Sequence, residues 1–140
     1  LIPVYCDVDV SDAGINISDL KKAISNKTKA IMIAHTLGNP FNLTEVKNIA
    51  DENNLWLIED NCDALGSKWD NKFTGTFGHL STQSFYPPHH ITTGEGGAVN
   101  INNKKLTVYL SFCCQIFNDF TSKTNLDNPI VNHIKFIFIK

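Results

Sequence analysis

Two stretches decide the fold of this 140-residue chain: Lys29-Ala-Ile-Met-Ile-Ala34, and Leu55-Trp-Leu-Ile58, which runs into Glu59-Asp60. Both are continuous apolar runs of strand length, a pattern typical of strands that are buried on both faces of a parallel sheet. Between them, Thr44 is predicted to cap a helix that reaches about Asn53. A strand, a helix and a second strand in this order predict a right-handed βαβ unit with parallel strands.

The flanking segments extend this unit on both sides. Val4–Val10 alternates apolar and polar residues and is predicted to be a strand, and Ser18 is a good N-cap for a short helix. Downstream, Leu80–Tyr86 is predicted to be a further strand, and Gly94–Gly97 to make a turn into a return strand over Ala98–Ile101. The expected fold class is therefore α/β, with a mostly parallel sheet and flanking helices.

Polar residues follow the two predicted parallel strands. His35 comes directly after the first strand, and Glu59-Asp60 ends the second. In open α/β sheets, ligands gather beyond the carboxyl ends of the strands, so we expect these residues to border one crevice. A buried carboxylate such as that of Asp60 needs a partner, because an unpaired buried charge is costly. Loop amides or a bound ligand would each supply that partner.

Composition and charge narrow the class of protein. The chain has 42% hydrophobic residues, 19% charged residues and a formal net charge of −2, with both signs mixed along it. This pattern gives no basic surface for nucleic acid or for a membrane, and the apolar runs are far shorter than a membrane span. Cys6, Cys62 and the pair Cys113-Cys114 lack the spacing of a secreted disulfide framework. We expect a cytoplasmic protein with reduced thiols.

One further segment, Ser-Phe-Tyr-Pro-Pro-His-His-Ile-Thr-Thr-Gly-Glu-Gly-Gly at residues 84–97, resembles the cofactor site of the DegT/DnrJ/EryC1/StrS aminotransferase family when it is read with Glu59-Asp60. The likeness spans residues 1–110 and is also carried by Asp7-Val-Asp9, Lys29–Pro40 and Leu55–Ser67. It implies that residues 1–110 are part of the cofactor-binding large domain of a type I pyridoxal-phosphate-dependent transferase. Residues 111–140 form a tail outside the likeness, in which Val131–Ile139 has strand character.

A single position in this segment departs from the aminotransferases of the family. They carry a Lys five residues after the Ser-Phe serine, where it holds the cofactor as a Schiff base, and this chain has His89 there. An imidazole forms no stable Schiff base with an aldehyde, but it transfers protons near neutral pH. The resemblance therefore implies a cofactor without a covalent anchor and a site that does proton chemistry.

The resemblance also implies a reaction and a role for each site residue. The most similar branch is the dehydratases that remove the 3-hydroxyl of nucleotide-linked 4-keto-6-deoxyhexoses for deoxysugar and lipopolysaccharide O-antigen biosynthesis, with more likeness to the CDP-linked than to the GDP-linked ones. Their cofactor is pyridoxamine 5'-phosphate, related to pyridoxal 5'-phosphate. By this resemblance His89 is the catalytic base, while Asp60, Asp63 and Ser84 bind the cofactor, Asp60 at the ring nitrogen and Ser84 at the phosphate. A homodimer and, in the iron–sulfur members, a reductase partner are also implied.

Cys62 stands where the iron–sulfur members of the family use one ligand of their cluster. Those members take the other ligands from a downstream Cys-x-Cys and a fourth Cys, whereas this chain has the adjacent pair Cys113-Cys114 and no later Cys. An intact four-thiolate cluster is therefore not expected in this chain, although Cys62 is a candidate metal ligand. A lone Cys at such a turn also serves as a small packed residue.

Three interpretations stay open from the residues alone. The first is a 3-dehydratase, with weak cofactor binding and little turnover in the isolated chain. The second is a sugar aminotransferase in which another Lys, such as Lys68, anchors the cofactor, and the third is a non-catalytic remnant of the fold. Metal binding by His89 and His90 together is not expected, because adjacent residues on extended backbone point to opposite sides and no third ligand stands at a suitable spacing.

Overall fold

The computed structural model describes residues 2–94 and 96–104. In this part of the chain no helix is both long enough and apolar enough to cross a membrane. The tail at residues 111–140, with the strand expected within it, lies outside the described residues, as does the Cys113-Cys114 pair.

The described residues form an α/β arrangement. Its elements in chain order are α1 (Ile17–Ala23), β1 (Ala30–Ala34), a 3₁₀ turn (Thr36–Gly38), α2 (Leu43–Glu52), β2 (Trp56–Asp60), β3 (Lys68–Trp69), β4 (Lys72–Phe73), β5 (Leu80–Ser84) and β6 (Gly97–Ile101). One sheet has the order β1-β2-β5-β6, and β3 and β4 form a separate antiparallel pair. The pairs β1–β2 and β2–β5 are parallel and β5–β6 is antiparallel, so the predicted βαβ unit and return strand are confirmed.

The core lies between the helices and one face of the sheet. In α2 the buried side chains recur at helical spacing, which gives the helix one apolar stripe. They pack with residues from α1, β1, β2 and the loops before α2 and β2 in one cluster of buried side chains: Leu20, Ile31, Phe41, Leu43, Val46, Ile49, Ala50, Leu55 and Leu57. This packing fixes β2, and with it the polar residues at its carboxyl end.

Both helices begin two residues earlier than predicted. The Asn16 side chain caps α1 by accepting the backbone N–H of Asp19 at 3.1 Å, and Asn42 caps α2 by accepting that of Glu45 at 3.0 Å. Neither Ser18 nor Thr44 is therefore an N-cap, because each lies inside its helix. Asparagine is as good an N-cap as serine or threonine, so local propensity did not separate the candidates.

The predicted strand over Val4–Val10 is wrong. This segment makes a single antiparallel bridge, from Val8 to Ile15, and the Val10 side chain is 99% exposed. The carboxylates of Asp7 and Asp9 accept nearby backbone N–H groups, those of Val8 and Ser11. Such local bonds compete with a strand ladder, which explains why alternation alone was misleading here.

The two parallel strands are buried on one face rather than on both within the described residues. Ile31 and Leu57 point toward the helices and are buried, whereas Met32 and Trp56 point to the other side and are 63% and 41% exposed. The expectation of burial on both faces is therefore corrected. The sheet face opposite the helices is the one that carries Asp60.

Candidate functional site

Strand alternation and register bring three polar side chains to one face of the sheet. Asp60 at the end of β2 pairs in parallel register with Thr82 of β5, and Ser84 follows two residues later on the same strand. Residues two apart on a strand share a face, so these three side chains lie on the side opposite the helices. Their neighbours on the two strands, Glu59, Ser81 and Gln83, point the other way and are buried.

The Asp60 carboxylate is held by two hydrogen bonds to one of its oxygens. The Thr82 hydroxyl donates to Oδ1 at 3.1 Å, and the backbone N–H of Cys62 donates to the same atom at 3.1 Å. Among the described residues no hydrogen bond reaches Oδ2. The half-buried carboxylate is thus oriented by the protein and keeps one oxygen for a further partner.

The His89 imidazole is bound to the loop that follows β2. Its Nδ1 lies 2.9 Å from Oδ1 of Asp63, the third residue after Asp60, and its side chain is 20% exposed. An ionised carboxylate only accepts hydrogen bonds, so Nδ1 is the donor in this pair, and in the neutral imidazole Nε2 is the nitrogen that has the lone pair. His90 is exposed, but the two histidines lie in a turn, in which the His89 N–H donates to the Tyr86 carbonyl at 3.0 Å, and not on the extended backbone that was expected for them. Of the two imidazoles, His89 is the one that contacts the loop after β2, through Asp63.

Ser84 ends β5 beside a glycine turn. Its Oγ accepts the backbone N–H of Tyr86 at 3.2 Å, which leaves the hydroxyl proton to be donated elsewhere. The turn needs its glycine at Gly96, where φ is 148° and an added Cβ would lie 2.8 Å from Oγ1 of Thr93. Because the chain turns back close to β5 here, the backbone N–H of Phe85 donates a hydrogen bond to the carbonyl of Gly96 at 2.8 Å.

His35 and Glu59 do not border a crevice, contrary to the expectation from their position. They are 1% and 0% exposed, and His35 Nε2 lies 3.0 Å from Glu59 Oε2. The His35 ring also stacks on Phe41, with 4.5 Å between the ring centroids. The pair faces the helices, because residue 59 alternates with residue 60.

Glu59 is held by the loop that precedes β5. Its carboxylate accepts the backbone N–H groups of Gly75 at 2.7 Å, Phe77 at 2.8 Å and Gly78 at 2.5 Å. Burial by itself raises the pKa of Glu59, but the hydrogen bonds from His35 and from these amides outweigh it, and the pKa is lowered. The glycines that flank Thr76 and Phe77 are a signal of this loop that sequence reasoning overlooked.

Cys62 carries a protonated thiol. Burial first, and then the neighbouring Asp60 carboxylate, raise the pKa of Cys62 to about 11. No group of three or more His, Cys, Asp or Glu side chains that suits a metal ion occurs in residues 2–94 and 96–104. The role of Cys62 as a cluster ligand stays a prediction.

This thiol is expected to alkylate slowly. At pH 8 the thiolate fraction for a pKa near 11 is roughly 100-fold smaller than for an ordinary cysteine. A thiolate of higher pKa is also more nucleophilic, so iodoacetamide should modify Cys62 roughly tenfold more slowly in the folded protein than after denaturation. Peptide mass spectrometry at timed intervals measures both rates. Equal rates before and after denaturation would contradict the protonated thiol.

Sequence reasoning missed two parts of the site. It named His89 and Asp63 separately without the contact between them, which depends on how the loop after β5 folds back. It also passed over Thr82, although the two-residue spacing from Ser84 was a usable signal, because that spacing places both side chains on one face.

Comparison with known proteins identifies the relatives of this chain. It is 62% identical over 99 residues to the lipopolysaccharide biosynthesis protein RfbH of Salmonella typhimurium, covering 71% of this chain and 23% of that protein. It is 54% identical over 99 residues to dTDP-4-dehydro-2,6-dideoxy-D-glucose 3-dehydratase of Saccharopolyspora spinosa, covering 71% and 21%. The chain therefore spans less than a quarter of the length of these relatives.

A solved structure and a family profile agree with this relationship. The chain matches the E. coli GDP-4-keto-6-deoxy-D-mannose-3-dehydratase with bound hydrated PLP at a TM-score of 0.66 and 39% identity, over 71% of this chain and 25% of that one. The likeness confirms the expected α/β fold of pyridoxal-phosphate-dependent transferases. The profile of the DegT/DnrJ/EryC1/StrS aminotransferase family matches residues 1–125. The chain belongs to the DegT/DnrJ/EryC1/StrS aminotransferase family.

Proposed function

We propose that the whole protein removes the 3-hydroxyl of a nucleotide-linked 4-keto-6-deoxyhexose, in deoxysugar and O-antigen biosynthesis, with pyridoxamine 5'-phosphate as a cofactor that has no covalent anchor. The observation that carries the proposal is His89, which stands in place of the family's Lys and has its Nδ1 2.9 Å from Asp63. The names of the lipopolysaccharide and 3-dehydratase relatives support the same reaction class. A homodimer and a reductase partner belong to this proposal by family resemblance.

The polar groups of the site fit this cofactor. Oδ2 of Asp60 suits a protonated ring nitrogen, since a carboxylate and a pyridinium N–H form a charge-assisted hydrogen bond. The Ser84 hydroxyl has a proton to donate to a phosphate, and Asp63 lies close enough to His89 to hold it beside the cofactor. When bound, the cofactor supplies an electron sink for negative charge that develops next to its ring.

The side chains of this chain then have distinct tasks. Asp60 binds and orients the ring through the nitrogen and favours its protonated form. Nε2 of His89 accepts a proton from carbon, because Nδ1 is already committed to Asp63. The Asp63 carboxylate fixes this tautomer and stabilises the imidazolium that forms. A positioned base of this kind contributes about 10²–10⁴-fold in rate.

The second candidate function is a nucleotide-sugar aminotransferase, which the name of the family favours. It needs a lysine that reaches the cofactor. Lys68, the candidate from the sequence, lies exposed on β3 with its Nζ 4.7 Å from the centroid of the Phe73 ring. It contacts neither Asp60 nor His89, so the contacts of the described residues favour the dehydratase. The isolated 140-residue chain is proposed to bind cofactor weakly and to turn over little.

Changing His89→Lys in the whole protein is expected to create a covalent link to pyridoxal 5'-phosphate. The wild type should lose the cofactor on dialysis, whereas the variant should keep it and, after borohydride reduction, gain the mass of the cofactor at residue 89. Absorbance and peptide mass spectrometry measure the two effects. The exposed neighbour offers the control, because His90→Lys should gain nothing. A reducible covalent cofactor in the wild type would reject the dehydratase in favour of the aminotransferase.

A further inference from the structure

We propose that Thr82 is a positioning residue that turns the Asp60 carboxylate so that Oδ2 faces the ring nitrogen of the cofactor. The inference rests on the cofactor of the proposed function, and it is independent of whether the reaction is dehydration or amino transfer. Thr82 itself touches neither the cofactor nor the substrate in this proposal. It acts through Asp60.

The position of Thr82 follows from the sheet. It stands opposite Asp60 in the parallel register of β2 and β5, and its Oγ1 lies 3.1 Å from Oδ1 of Asp60. The strand ladder fixes both backbones, so the hydroxyl has a constant direction relative to the carboxylate. A site residue on a strand is placed more accurately than one on a loop.

A second donor bonds to the same carboxylate oxygen of Asp60 as Thr82 does. The Cys62 amide also bonds to Oδ1, at 3.1 Å, from the turn just after β2. A carboxylate torsion is broad and nearly two-fold, so one donor alone leaves the group free to tilt. Two donors that converge on Oδ1 from the strand and from the turn hold the plane of the carboxylate. The oxygen without a bond among the described residues, Oδ2, is then the one presented to a ligand.

Among the described residues the Thr82 hydroxyl has no stronger hydrogen-bond acceptor than the Asp60 carboxylate. The next polar atom near Oγ1 of Thr82 is Sγ of Cys62, at 3.9 Å. A thiol with its pKa raised to about 11 is uncharged at neutral pH, so the carboxylate is the stronger acceptor. Thr82 therefore donates to Asp60, and a side chain of similar shape without the hydroxyl removes that bond together with only the long contact to Cys62.

The test measures the dissociation constant of pyridoxal 5'-phosphate for the whole protein by equilibrium dialysis. Thr82→Val and Thr82→Ala should each bind about tenfold more weakly, because a carboxylate that is free to tilt makes a weaker charge-assisted hydrogen bond to the ring nitrogen. Thr82→Ser should restore affinity to within about twofold, because it keeps the donor. The matched control is Thr76→Val, which removes a hydroxyl that donates to the Phe73 carbonyl at 2.6 Å and should leave the constant unchanged.

The outcomes separate this inference from the proposed function. If Thr82→Val and Thr82→Ala bind like Thr76→Val, the positioning role is overturned while the cofactor stands. If Thr82→Ser is as weak as Thr82→Ala, the side chain acts by packing, and the inference fails again. If the wild type binds neither pyridoxal 5'-phosphate nor pyridoxamine 5'-phosphate in the same dialysis, both proposals fail. Should the valine variant not fold, the smaller alanine variant decides the result, with its thermal midpoint measured alongside.

Discussion

Replacing His89 with Asn should lower kcat of the whole protein by about 10²–10⁴-fold and change KM little. The asparagine amide can donate to Asp63 much as Nδ1 does, so the contact with the loop is kept. What is lost is Nε2, the atom proposed to receive the proton. A loss confined to kcat identifies a group that acts in the transition state rather than in substrate binding.

Steady-state kinetics with a nucleotide-linked 4-keto-6-deoxyhexose measure this effect. The neighbouring substitution His90→Asn is the control, because His90 is exposed and should leave both constants near their wild-type values. Cofactor affinity is measured in the same variants, so that a binding defect is not mistaken for a chemical one. An Asn variant with wild-type kcat would remove His89 from the mechanism.

Glu59→Gln should reduce the free energy of unfolding by about 3 kcal/mol, although no ligand touches this residue in the proposed mechanism. The wild-type carboxylate is completely buried and accepts three backbone N–H groups and one imidazole N–H. Glutamine keeps the shape, but its NH₂ group faces donors instead of acceptors. Buried donors are then left without partners, which accounts for the expected loss.

Urea-induced unfolding of the whole protein measures this loss, with Glu45→Gln as the matched control. Glu45 makes an exposed ion pair with Lys21, at 2.8 Å, and such pairs contribute less than about 1 kcal/mol. The pH dependence gives a second check. Because the pKa of Glu59 is lowered from its ordinary value of 4.5, its stabilising effect is complete above that value and is lost as the pH falls through the folded pKa. The Gln variant should lose less stability on acidification, and equal losses would contradict the assignment.

The α/β core could be predicted because its signals are local. The apolar runs that became β1 and β2 and the helical stripe of α2 each lie within one element, and the turn before β6 is marked by glycines. The errors arose where non-local or competing contacts decide. Asp7 and Asp9 bond locally and prevent the strand expected over Val4–Val10, while Asn16 and Asn42 take the capping positions from Ser18 and Thr44.

For the candidate site, the residues could be predicted from the sequence but the contacts between them could not. His89, Asp60 and Ser84 were named from a family motif, which records which residues occur but not which atoms meet. The contact between His89 and Asp63 joins residues 26 positions apart, and the loop that bonds to Glu59 lies 16 to 19 positions beyond it. The periodicity of residues within one helix or strand does not indicate contacts between residues so far apart in sequence. Such contacts can be predicted only when the pairing of β2 with β5 and the paths of the neighbouring loops are known.

The opposite directions of Glu59 and Asp60 have a consequence for how this protein tolerates insertions and deletions. Adding or deleting one residue within β2 would exchange the directions of the two acids, so that Glu59 would point outward and Asp60, the residue proposed to bind the cofactor, would point into the core. Fold and chemistry would be lost together, although every residue type was still present. Length variation among relatives should therefore avoid 55–60 and collect in the exposed β3–β4 hairpin, where neither acid is displaced.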